Sequence, residues 1–185
     1  MNQKRSFIKN FWKDKKMVGS MTPSSRFLAK KMLAPIDFIT AKVIIELGPG
    51  TGVFTRKIIE NMHHDALFLV FELNDSFISL LQKKINDPRV HLIHDSAEKM
   101  KEYLLKFGVE KADAIISSLP LANFPEKLKN SLLQESHTVL NDNGRFIQFQ
   151  YSLNAKKSIK KAFQRVSISF TPANFPPAFI YTCIK

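Results

Sequence analysis

A glycine turn set directly after a β-branched run decides most of what this chain can become. Lys42-Val-Ile-Ile-Glu-Leu47 reads as a short strand, and Gly48-Pro-Gly-Thr-Gly52 follows it before a helical pattern that runs through Asn61. Glycines at such a strand-to-helix turn let backbone approach a ligand closely, because no Cβ intervenes. The dinucleotide fingerprint needs a further glycine at position 53, where Val53 stands; the Walker loop needs Gly-Lys-Ser/Thr, which is absent. The turn is glycine-rich without being either phosphate cradle.

The alternation of strand and helix continues downstream. Residues 66–72, 90–94, 112–117 and 145–151 read as strands, and helices are expected over 75–85, 96–107 and 126–140. The last helix is stopped by Asn141-Asp-Asn-Gly144. This rhythm predicts an α/β, Rossmann-like fold: a mostly parallel sheet with helices on both faces. After Tyr151 the pattern changes. Residues 165–170 and 178–184 are strand-like, and the segment between them holds Pro172, Pro176 and Pro177. No helix fits there, so the two should pair as a C-terminal antiparallel hairpin at the edge of a seven-stranded sheet. One domain spans 1–185, with 1–34 a basic helical extension.

Acidic residues recur at the strand ends. Glu46 closes the first strand, Glu72 ends the second 20 residues after Gly52, and Asp95 follows the third. A carboxylate at the second strand end accepts from both ribose hydroxyls in folds of this kind. Asp95 is placed within reach of an adenine amino group if the strands pack in the usual order.

At these residues the chain resembles the class I S-adenosylmethionine-dependent methyltransferases, whose first motif is similar to Glu46-Leu-Gly-Pro-Gly-Thr-Gly52. The resemblance implies S-adenosylmethionine as cofactor, with Gly48, Gly50, Thr51 and Gly52 beneath it and Glu46 near its methionine part. It also implies Glu72 and Leu73 at the ribose, Asp95 and Ser96 near the adenine, and Ser117 at the cofactor's edge.

A closer resemblance is to bacterial phospholipid N-methyltransferases. It rests on Val18-Gly-Ser-Met-Thr-Pro-Ser-Ser-Arg-Phe-Leu-Ala29, Ser117-Ser-Leu-Pro-Leu121, Gly144-Arg-Phe-Ile-Gln-Phe-Gln-Tyr151 and Pro176-Pro-Ala-Phe-Ile-Tyr181. It implies methylation of the amine of phosphatidylethanolamine or its partly methylated derivatives. An ammonium must lose a proton before it attacks, so Ser117, Ser118 and Tyr151 are the candidate catalytic residues. The carbonyls of Ser117 and Leu119 are candidates for orienting the amine, and Tyr151 or Phe124 for facing a methylated cation. Ser25 and Arg26, in a helix start at Thr22-Pro-Ser-Ser-Arg26, are candidates for the methionine carboxylate or a lipid phosphate.

The alternative is ribosomal RNA adenine dimethylation, by similarity in the same glycine loop. That family carries Asn or Asp, two residues and an aromatic where this chain has Ser118-Leu-Pro-Leu121. Amide and stacking ring are both missing. That family also has a helical RNA-binding domain, for which the chain leaves no room.

Charge bears on the partner. Residues 1–31 hold nine Lys/Arg and one acid, and residues 143–185 hold seven Lys/Arg and none, so both ends suit a polyanion. Phe7, Ile8, Phe11 and Trp12 form one face of a helix whose remainder carries Lys4, Arg5, Lys9, Lys13, Lys15 and Lys16. Such a helix suits the headgroup–acyl boundary of an anionic bilayer; the alternatives are capping of the domain's own core and binding of RNA phosphates. Lys156, Lys157, Lys160, Lys161 and Arg165 form a second basic helix face. No apolar run approaches the roughly 20 residues of a membrane span. A single cysteine, Cys183, suits a reducing cytoplasm, so peripheral attachment to the inner face of the membrane is expected. His63, His64, His91, His94 and His137 lack metal-ligand spacing, and no metal is expected.

Overall fold

The computed structural model describes residues 23–172, 174 and 176–185, without the side chains of 23–26. The amphipathic helix expected within 1–17 therefore lies outside the described residues, as does most of the 1–34 extension. Its described end is helix α1 (Pro23–Leu33).

Strand β1 (Val43–Leu47) is buried along its whole length, as a continuous apolar run predicts for a strand covered on both faces. After it come α2 (Val53–Asn61), β2 (Leu67–Phe71), α3 (Asp75–Lys84) and β3 (Val90–Ile93). A 3-10 turn (Ala97–Lys99), α4 (Met100–Lys106), β4 (Ala112–Ser117) and α5 (Glu126–Val139) follow. The chain finishes with β5 (Leu140–Gln150), α6 (Lys156–Ala162), β6 (Arg165–Thr171) and β7 (Ala178–Ile184).

The seven strands form one sheet in the order β3-β2-β1-β4-β5-β7-β6. β1 to β5 are parallel, and β7 is antiparallel to both β5 and the edge strand β6. The expected fold class and the C-terminal hairpin are both present. α1 and α2 close one face, where Met32 and Ile58 pack with Ile44, Phe68 and Ile147. α4, α5 and α6 close the other, where Leu104, Leu132 and Ile159 pack with Ile45, Ile115 and Phe146. From β1 the chain moves outward to β2 and β3, then returns to the other side of β1 at β4. That reversal opens a crevice beyond the carboxyl ends of the strands.

Most boundaries fall within a residue of those expected, and larger differences occur at β5 and after β3. The Asn141-Asp-Asn-Gly144 run is no helix stop followed by a loop: β5 starts at Leu140, immediately after α5. The register with β4 shifts between Ala112 and Ala114, which is how a bulge absorbs extra residues. Asn143 takes φ 64 there, a conformation Asn tolerates, and Asn141 Nδ2 donates to Asp113 Oδ1 at 2.6 Å. β5 also ends at Gln150, leaving Tyr151 in the bend beyond it. The helix expected over 96–107 is split into the 3-10 turn, capped by the Ser96 hydroxyl accepting from Glu98 N, and α4.

Candidate functional site

β1 delivers Glu46 into the sheet and then turns on glycines in the left-handed region: Gly48 (φ 68), Gly50 (φ 57) and Gly52 (φ 83). Gly48 N donates to Phe71 O at 2.9 Å, tying the turn to the end of β2. Gly50 and Gly52 are glycine for different reasons. A Cβ on Gly50 would meet nothing within 4 Å, so this residue is glycine for its positive φ and not for want of space. A Cβ on Gly52 would stand 2.7 Å from Leu81 Cδ2, so this one serves the packing of α3 against the turn. Thr51, between them, is half-buried.

Two carboxylates lie under this turn. Glu46 is fully buried, and neither of its oxygens has a hydrogen-bond partner. Burial pushes its carboxyl up to about 8; the nearby Thr55 opposes the rise and the charge of Glu72 adds to it. Glu72 is held firmly. Its Oε1 accepts from Leu73 N (2.8 Å) and Asn74 N (2.9 Å), and its Oε2 from Gly50 N (3.2 Å). Burial raises its pKa, while those three amides and His94 pull the other way.

Asp95 is buried at the end of β3 and already engaged. Its Oδ1 accepts from Ser96 N at 2.7 Å, and its Oδ2 from Lys99 Nζ (2.8 Å) and Tyr103 OH (3.2 Å). Gly48, Glu72, Leu73, Asp95 and Ser96 line one crevice. Phe71, Ala97, Leu119 and Leu132 complete its wall. Of these four, Leu119 was expected at the site only for its carbonyl, and Phe71, Ala97 and Leu132 were not singled out from the sequence. Their apolar positions on predicted elements were visible, but not which of them meet a strand end.

On the far side of the turn, β4 ends at Ser117, which is buried; its Oγ accepts from Leu119 N at 3.3 Å. Ser118 is half-buried, and its N donates to Leu47 O, extending the β1–β4 ladder. The Leu119 carbonyl, expected to orient an amine, is taken. It accepts from Leu121 N (2.8 Å), Gln148 Nε2 (3.0 Å) and Gln150 Nε2 (2.8 Å). Gln150 Oε1 also accepts from Ala122 N at 3.1 Å. Gln148 and Gln150 are thus a clamp on the loop after β4. Their signal was two amides on the inward-facing positions of a strand.

Phe124, a candidate for facing a cation, is instead buried in the core. Tyr151 is exposed at the crevice end of the sheet, with its ring edge-on to Phe149. Burial of its hydroxyl raises the phenol pKa against a hydrogen bond from Asn174. Ser25 falls in the first turn of α1, and its side chain is outside the described part.

Of the histidines, His91 packs on Phe107, and His94 stands behind the crevice wall, its Nε2 3.3 Å from Leu73 O and 3.2 Å from Asp75 Oδ1. The donor atoms of His63, His64 and Asp65 come within 4.8 Å of one another, a juxtaposition the reading of histidines alone did not anticipate. The Lys42 ammonium is bonded into that group, 2.7 Å from Asp65 and 2.9 Å from His63.

A family described as a methyltransferase domain matches residues 44–144. Across 96% of this chain and 93% of its own length, an ornithine lipid N-methyltransferase of Singulisphaera acidiphila is 30% identical. Ribosomal RNA small subunit methyltransferase A of Alcanivorax borkumensis is 27% identical over 57% of this chain, which spans only 36% of that relative. In fold, the chain is similar to the 1,6-didemethyltoxoflavin-N1-methyltransferase of Burkholderia thailandensis, solved with its substrate and S-adenosylhomocysteine. The TM-score is 0.72 at 16% identity, over 98% of this chain and 86% of that one.

Proposed function

The chain belongs to the class I S-adenosylmethionine-dependent methyltransferases, and from that membership we propose that it methylates the amine of a membrane lipid. The proposed acceptor is phosphatidylethanolamine or a partly methylated derivative, met at the bilayer surface. One observation carries the reading: the likeness to a lipid N-methyltransferase runs almost end to end, whereas the likeness to an RNA enzyme stops near half of the chain. The loop after β4 agrees. Leu121, where the RNA family has its stacking ring, is buried in the core.

The residues present fit the donor. Glu46 is a buried carboxylate with no partner for either oxygen, which suits the cationic amine at the methionine end. Glu72, fixed by three backbone amides at the crevice wall, suits the ribose diol. Leu73, Ala97, Leu119 and Leu132 suit the faces of the adenine, with Asp95 and Ser96 at its edge. Bound there, the donor supplies an electrophilic methyl group on a sulfonium and needs no acid to activate it.

The chain's remaining task is to present a neutral amine in line with that methyl, an alignment worth several kcal/mol. Gln148 and Gln150 fix the loop that carries Ser117 and Ser118, and Ser118 is our candidate for orienting the nitrogen. The Tyr151 phenol, with its pKa raised by burial, stays neutral. It is suited to accept a hydrogen bond and to offer its ring to the cation rather than to take the proton, which leaves to solvent. We place the enzyme at the cytoplasmic face of the membrane, held there by the basic N-terminal segment. Among the described residues no helix is long and apolar enough to cross a bilayer.

Methyl-labelled S-adenosylmethionine offered separately with phosphatidylethanolamine vesicles, ornithine lipid vesicles and ribosomal RNA tests the reading. Label is expected in the phosphatidylethanolamine extract. Label in ornithine lipid alone would keep the lipid class and move the headgroup, and label in RNA alone would overturn the proposal. Removing residues 1–17 should weaken co-sedimentation with anionic liposomes; equal binding by both forms would remove the recruiting role of that segment.

A further inference from the structure

Large apolar side chains stand exposed around the catalytic end of the sheet. Tyr151 and Leu153 occupy the bend after β5, and Phe170 is the penultimate residue of β6. β6 runs in the same direction as β5, so both finish at the carboxyl end where the crevice opens. α1 leads toward the other end of the sheet, where β1 begins, so its early turns lie on the crevice side. Lys31 Nζ reaches Phe170 O at 3.0 Å, and Phe27, one turn earlier on α1, is also exposed. Tyr151, beside Phe149 on the α1 face, and Phe170, beside Phe179 on the other face, thus stand with Leu153 and Phe27 around the rim of this end of the sheet.

Charge frames this rim. Lys156 and Lys157, exposed at the start of α6, directly follow the Leu153 bend, and Lys30 and Lys31 flank it on α1. No acid occurs from residue 143 to residue 185. Apolar side chains bordered by lysines match a bilayer of anionic lipid, whose interior takes the former and whose headgroups take the latter.

We propose that this rim is a bilayer-docking edge that seats the crevice mouth on the membrane, so that a headgroup amine enters while its acyl chains stay in the bilayer. The inference rests on the lipid reading and adds an orientation to it: β5 and β6 tips down, the opposite end of the sheet toward water. It is separate from recruitment by residues 1–17.

The lone native thiol makes the test clean. Cys183 is buried and its pKa is pushed up to about 12, so an environment-sensitive thiol probe on the native protein reports introduced cysteines. Full-length Leu153→Cys and Phe170→Cys are compared with Ile39→Cys, which is 81% exposed just before β1 at the other end. Vesicles containing phosphatidylglycerol should shift the emission of the probes at 153 and 170 to the blue and expose them to quencher-bearing lipids. The probe at 39 should not change. Changing Lys156 and Lys157 together to Gln should weaken vesicle binding about 30-fold, from roughly fivefold per lysine.

Equal shifts at all three sites, or none at 153 and 170 while the protein is vesicle-bound, would overturn the proposal. So would blue shifts produced by ribosomal RNA or by raised protein concentration without vesicles, which would assign the edge to nucleic acid or to a second copy. Because the readout is probe environment, an enzyme that inserts its rim yet fails to methylate lipid would sink the lipid-substrate reading and leave docking standing.

Discussion

Gln150→Leu is the substitution whose cost follows most directly from the geometry. Gln150 is 5% exposed, and leucine nearly conserves its volume, so packing changes little. Two hydrogen bonds disappear: Nε2 to Leu119 O at 2.8 Å, and Ala122 N to Oε1 at 3.1 Å. Their consequences are unequal. The Leu119 carbonyl keeps Leu121 N and Gln148 Nε2, so it loses about 1 kcal/mol of net bonding. The Ala122 amide, half-buried, is left without an acceptor, at about 1–2 kcal/mol. Urea unfolding should therefore show a loss of about 2–3 kcal/mol at an unchanged slope, and heating a fall in Tm of about 5–10 °C. The same loop carries Ser117 and Ser118, so single-turnover methyl transfer should slow at least about tenfold with bound donor held saturating. Stability within about 0.5 kcal/mol of the parent and an unchanged transfer rate would refute the clamp.

Other sites give equally direct outcomes. Burial pushes the Glu46 carboxyl from its ordinary 4.5 up to about 8, so the folded, donor-free protein holds a proton that the unfolded chain releases between these values. Stability is accordingly full below about pH 4.5 and is lost as pH rises toward 8, and Glu46→Gln should flatten that slope in pH-dependent unfolding; an unchanged slope would show that Glu46 does not titrate there. Gly52→Ala should lower stability by about 1–3 kcal/mol, since φ 83 strains any Cβ and this one meets Leu81. Gly50→Ala should cost about 1–2 kcal/mol of backbone strain yet weaken donor binding more than Gly52→Ala does, because the strain falls on the amide that holds Glu72. Iodoacetamide at pH 8 should leave native Cys183 unmodified and label it in denaturant; rapid native labelling would contradict its burial.

The turn and its acids were legible because their spacing along the chain coincides with the spacing of strand ends. Glu46, Glu72 and Asp95 close consecutive strands, so reading the strands located the crevice. The boundaries of β4 and β7 were legible too, since both strands are bracketed by turn-forming or polar residues. Asn141-Asp-Asn-Gly144 misled because its composition favours a turn, while pairing on either side of it, Leu140 with Ala112 and Arg145 with Ala114, and the bond from Lys185 N to Gly144 O hold it in the strand. Leu132 and Ala97 were recognisable only as inward-facing. Which inward residue touches a ligand depends on how far a helix slides along the sheet, and periodicity carries no such information. The Gln148 and Gln150 clamp sat in view as polar residues on a core-facing strand, a conflict between pattern and composition that marks a site as often as a defect.

On the proposed reading, the Glu72 carboxylate holds the donor's sugar beside the glycine turn. Calorimetric titration of S-adenosylmethionine into the parent and into Glu72→Ala measures this directly. At least tenfold weaker binding in a variant that still unfolds cooperatively is the predicted outcome. Equal affinity in the two proteins would contradict the assignment and move the donor out of this crevice.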